Sequence, residues 1–216
     1  MAEKTKTKGV KKNISLMALL LIPVAVAINI VGGQIVAALK LPIYLDSVGT
    51  ILIAILAGPW LGALTGLLSN SINAIFDPTF FPYVIVSIVL GLVAGFLASK
   101  KMFTKIWKVA VSGVILALCA TIVSSPITAF FFGGVTGSGS TFITAALMAT
   151  GQNLIQSVLT SSIIADLCDK VLSVFICFFI IKSISSRYLS KFSYGEFYIK
   201  KKAGKAEVTE QDKAAK

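Results

Sequence analysis

Apolar residues fill this chain in long blocks, each near the ~20 residues that one helix needs to cross a bilayer, and Pro, Gly or Lys clusters separate them. The first block predicts a helix over 14–39, bent or loosened at Pro23 and at Gly32 with Gly33. It runs on without a small-residue cleavage site, so it reads as a retained helix rather than a signal peptide. A connection at 40–45 leads to Asp46, expected to cap a second helix that ends at Ala57 before the turn at Gly58 and Pro59. A helix that short is expected to tilt or to cross a thinned region. Further spans are predicted at 60–76, 83–98 and 106–132, with a proline-bounded loop at 77–82 and a Gly-rich loop at 133–140.

The stretch 141–187 is too long for one crossing. At about 1.5 Å per residue it would reach ~70 Å, more than twice the hydrocarbon thickness. Two full crossings there would make seven and put the Lys-rich tail on the side opposite to the other lysine clusters. We therefore expect an outer-face or re-entrant helix at 141–164 and a sixth span at 166–186. The expected fold is an all-α membrane protein of six transmembrane helices with that extra segment before the last. It divides into a basic N-terminal segment at 1–13, a membrane domain at 14–187 and a polar, disordered tail at 188–216.

Composition agrees: 56% of residues are apolar and mean hydropathy is +0.90, above the ~45–50% apolar content of soluble domains. The net charge of +11 orients the bundle. Of the 20 Lys and Arg, five precede Asn13, four lie at 100–108 and nine lie from Lys182 onward, leaving Lys40 and Lys170. Lysines beside apolar spans mark cytoplasmic loops, which puts both termini and the central loop on the cytoplasmic side of a cell membrane. They flank spans instead of alternating with aromatics, so the expected partner is lipid and not nucleic acid. Three cysteines with no CxxC and no histidine support neither a disulfide nor a zinc framework.

Candidate chemistry gathers on the other face. Between 13 and 181 the carboxylates are Asp46, Asp77, Asp166 and Asp169, all expected at outer helix ends. Asn29 and Gln34 lie in the middle and outer half of the first helix, Asn70 and Asn73 in the outer half of the third. Gln152, Asn153 and Gln156 lie on the segment that folds across the outer face. An amide in hydrocarbon needs a partner, either a neighbouring helix or a ligand. Together with Tyr44, Asp46 and Asp77 these groups outline an outward-facing pocket for a small polar, aromatic or heteroaromatic molecule, roofed by 40–45 and 133–140. Tyr44, Phe76, Phe80 and Phe81 are candidates to stack on it. Asp166, Asp169 and Lys170 share one helix face; they either pair at the helix mouth or touch the ligand. GxxxG patterns at Gly62 with Gly66 and at Gly91 with Gly95 call for close helix contact within the molecule.

Several segments are familiar in their order: NIVGG (29–33), LPIYLDSVGT (41–50), GPWLG (58–62), DPT (77–79), GGVTGSG (133–139) and DLCDK (166–170). Over about 14–187 the chain resembles the substrate-binding S components of energy-coupling factor (ECF) vitamin transporters. The resemblance implies a six-helix S-component bundle that captures a vitamin or precursor outside and docks on a transmembrane T component driven by two ATPases. The LDSVGT and GGVTGSG segments resemble those of pyridoxine or hydroxymethylpyrimidine-type members. Many S components carry AxxxA on the first helix for T-component contact, and this sequence lacks it. No GxxxxGK[ST] loop is present, so no cofactor is expected here and ATP belongs to the partners. The competing reading is a self-sufficient secondary transporter or channel, which calls for paired repeats or ionisable groups through the membrane midplane. An enzyme would need a nucleophile with its base or a metal cluster, and the sequence supplies neither.

Overall fold

A computed structural model describes residues 16–199, and every regular element among them is helical. The basic segment at 1–13 and the tail from residue 200 lie outside the described residues. The helices α1 (Leu16–Ala38), α2 (Val48–Ala57), α3 (Pro59–Phe76), α4 (Val84–Ser99) and α5 (Ile106–Phe132) keep close to their expected bounds. Apolar blocks end where Gly, Pro or Lys interrupts them, and that signal is local. α1 and α5 are each long and apolar enough to cross a membrane. Leu16, Leu20, Val24, Val31 and Ile35 leave an apolar stripe of α1 exposed, as a lipid-facing helix requires. Trp60 and Trp107 are also exposed, at the bundle end that carries Lys100 and Lys105, where indoles suit a membrane–water boundary.

α2 stands in the centre, buried from Val48 to Leu56 between α1, α3, α4 and α7. The loop that precedes it enters the bundle beside α1. The Leu45 carbonyl lies against Gly32, six residues before the end of α1 and so about 9 Å below it. A Cβ on Gly32 would come 2.6 Å from that oxygen. Ser47, not Asp46, occupies the N-cap position of α2.

α3 and α4 meet backbone to backbone. Gly62 faces the Gly91 carbonyl, Gly66 faces Ser87 and Gly95 faces Pro59. Both GxxxG patterns are thus consumed within the molecule, as expected. α5 runs antiparallel to α7 (Leu154–Ser183), with Gly113 against Val171 and Thr121 against Asp166.

The last third departs from the sequence reading. The break falls at 150–153, not near 165: α6 (Ser140–Ala149) is ten residues long and α7 is one continuous helix of 30. Gly151, with φ of 91°, supplies the turn, and no Pro or Gly follows until Gly195. Asp166 and Asp169 therefore lie near the middle of α7 rather than at a helix end. The three charges, read as an end signal, are matched by tertiary partners instead. The chain also stays ordered past 188. A short α8 (Ser186–Leu189) and a 3-10 turn (Gly195–Tyr198) fold back, burying Leu189, Phe192 and Tyr194. The Tyr194 N–H donates to the Leu56 carbonyl at 3.0 Å, satisfying a group that the end of α2 leaves open.

Candidate functional site

At the bundle end away from Lys100 and Lys105, the helices diverge around a cavity of about 180 Å³. α3, α4, α5, α6 and α7 wall it, and the loops at 39–47 and 133–139 close over it. The two loops meet: the Tyr44 hydroxyl donates to Ser140 Oγ at 3.0 Å, and Gly139 lies against the Leu41 carbonyl.

The charged floor comes from α7. Asp169, fully buried, accepts the Tyr44 N–H at 3.1 Å and the Leu45 N–H at 2.7 Å, and also binds the Lys170 ammonium. Lys170 reaches Ser47 Oγ at 3.0 Å and Asp46 at 3.7 Å. Asp166 accepts from Thr121 at 2.8 Å and weakly from Ser124 at 3.5 Å, both on Oδ2. Asn70 donates to the Tyr83 carbonyl at 3.1 Å, which fixes its amide orientation and leaves a buried Oδ1 without a partner.

Of the sequence candidates, Tyr44, Asp46, Asn70, Asp77, Asp166 and Lys170 line this cavity. Asp77 sits at the rim, accepting from the Thr79 N–H at 3.0 Å and the Thr79 hydroxyl at 2.7 Å. The others do not reach it. Asn29 is a strut: its Nδ2 donates to Thr50 and Ser69, each at 2.9 Å, and its Oδ1 accepts the Gly49 N–H at 2.7 Å. Gln34 is exposed on α1, and Asn73 is buried on α3 without lining the cavity. Gln152, Asn153 and Gln156 lie at the α6–α7 turn, because the chain breaks there and not across the mouth. Phe76 and Phe81 point away, 74% and 72% exposed, whereas Phe80 and Tyr83 line the wall.

Asn29→Ala removes three buried hydrogen bonds at about 1 kcal/mol each, so the protein should lose about 3 kcal/mol of stability. Thermal melting in detergent would register this; an unchanged melting point would remove the strut role.

Sequence reasoning missed the hydroxyls. Ser87, Ser124, Thr128, Ser138, Thr144 and Ser162 line the cavity, and Thr128 bonds the Tyr83 hydroxyl at 2.7 Å. Their signal was the repeated four-residue spacing, as in Ser124 with Thr128 and Ser140 with Thr144. Hydroxyls barely change hydropathy and bond readily to their own helix, which hides them.

Fold and cavity together define a helical membrane protein with a cavity at one end of the bundle, lined by apolar side chains, hydroxyls and carboxylates. The model of the family "ECF transporter, substrate-specific component" matches residues 17–181, and the chain belongs to that family. Its members are transporter subunits and not enzymes. Comparison with curated proteins and with solved structures gave no match.

Proposed function

We propose that this chain is the substrate-capture subunit of an ECF-type importer. It crosses a cell membrane six times, through α1, the loop with α2, α3, α4, α5 and α7, with both termini inside. The lysines at 100–108 and beyond Lys182 support this orientation. The cavity then opens outward, takes up a small vitamin or precursor, of pyridoxine or hydroxymethylpyrimidine type, and passes it inward with a T component and two ATPases. ATP is used by those partners. The observation that carries this reading is the loop-closed cavity at the end away from the lysines.

The competing reading, a self-sufficient transporter, draws on the placement of Asp166, Asp169 and Lys170 in the middle of α7. Asp169 and Lys170, however, are engaged by the 39–47 loop and by each other. Uptake decides between them. The small molecule that co-purifies with the protein, identified by mass spectrometry, should enter proteoliposomes only when T component, ATPases and ATP are present. Uptake by this chain alone would establish the competing reading, and a protein that carries no small molecule and transports none would exclude both.

A further inference from the structure

A second groove, of about 160 Å³, runs down the outside of α4, lined by Leu92, Val93, Phe96 and Leu97 and ending at Lys100. None of these residues borders the cavity described above. Their spacing of one, three and four places them on a single helix stripe. Phe96 is 65% exposed within it, which turns the stripe toward lipid. From Leu92 to Lys100 the stripe is about 12 Å long, inside the ~15 Å of one hydrocarbon leaflet. It has the length for one acyl chain, with a charge where a headgroup would lie.

The cations at this end of the bundle fall into two groups. Lys101, Lys182 and Lys191 each lie over an aromatic ring, those of Phe197 at 4.8 Å, Phe178 at 4.3 Å and Tyr188 at 5.3 Å. Lys100, Lys105 and Lys108 have no ring or carboxylate partner among the described residues, and Glu196 is the one carboxylate at this end among them. A left-handed backbone at Lys101, φ 57°, separates the adjacent pair: Lys101 turns to Phe197, and Lys100 stays at the foot of the groove. Trp107, 76% exposed, stands between Lys105 and Lys108, as an indole at a membrane–water boundary does.

Unpaired lysines at the end of an apolar groove call for a partner with both an anion and a chain. Free phosphate would leave the groove empty. A zwitterionic lipid would fill it but bring its own cation to the lysines. We infer that α4 and the turn at 100–108 bind one anionic glycerophospholipid from the leaflet on the lysine-rich side, its acyl chain in the groove and its phosphate at Lys100, Lys105 and Lys108. The site does not depend on which solute the cavity takes.

Native mass spectrometry of the full-length protein, titrated in detergent with phosphatidylglycerol and phosphatidylcholine of identical chains, tests this. A basic residue beside an anionic headgroup is worth about fivefold in affinity before screening, so phosphatidylglycerol should bind at least about tenfold more tightly. Lys100→Gln, Lys105→Gln and Lys108→Gln together should bring the two lipids within about twofold of each other. Lys182→Gln, Arg187→Gln and Lys191→Gln together remove the same charge and should keep the preference. Leu92→Trp fills the groove, spares every lysine and should weaken phosphatidylglycerol at least about fourfold, the worth of one buried methylene. Melting curves without added lipid report whether each variant is folded, and Leu92→Trp carries the test if the first triple variant is not. Equal binding of the two lipids, a preference that survives the first triple variant or is lost in the second, unchanged binding in Leu92→Trp, or glycerol phosphate competing as well as intact lipid would overturn the site.

Discussion

Asp169→Ala is expected to lower the stability of the protein by about 3–5 kcal/mol, the usual cost of breaking a buried ion pair from one side. The substitution strands the Lys170 ammonium and orphans the N–H groups of Tyr44 and Leu45 together. Leu45 holds a left-handed backbone, φ 47°, which a leucine adopts only under constraint. That geometry turns two successive N–H groups onto one carboxylate oxygen, a small anion-binding concavity made by the loop for a residue of α7. Without the carboxylate the loop loses its anchor inside the bundle. Thermal melting should fall steeply, and any co-purified ligand should be lost with it. Asp169→Asn should be intermediate, since an amide oxygen at the Oδ1 position still accepts both N–H groups while the charge facing Lys170 is lost. A melting temperature for Asp169→Ala equal to that of the parent would show that this loop is held by other contacts.

Gly91→Leu should be comparably damaging at a site far from any charge. A Cβ on Gly91 would run into the backbone of Gly62 and Ala63, and Gly62 is itself pressed against Ala54. Overpacking of this kind costs about 1–3 kcal/mol and sometimes more, and here α3 must move away from both α2 and α4. Helices in lipid associate chiefly through close packing, because lipid is as apolar as their side chains. We expect the upper end of that range, read as loss of the monodisperse peak in size-exclusion chromatography. Phe96→Leu, on an exposed position of the same helix, should leave the peak intact. Normal behaviour of Gly91→Leu would mean that the α3–α4 contact is looser than its geometry.

Five helices were legible from apolar blocks and their Gly, Pro and Lys boundaries, because those signals act over a few residues. The GxxxG contact was legible for the same reason: small residues four apart can only make a close-approach surface. The resemblance carried by segments such as LPIYLDSVGT and DLCDK agrees with the family match over 17–181.

The sequence by itself determined that this is a helical membrane protein of the ECF S-component family, and that polar groups concentrate toward one end of it. Only the tertiary structure decided which of those groups share a chamber. Asn29 and Asn70 are alike as sequence signals, yet one is spent joining three helices and the other borders the cavity. Asp166 and Asp169 sit three residues apart, yet Asp169 is saturated by a loop from over a hundred residues away, whereas Asp166 accepts from hydroxyls of α5 and borders the cavity. Hydropathy and spacing report what a residue costs to bury; its partner comes from chain segments distant in sequence, and that pairing determines whether it braces the fold or faces the chamber.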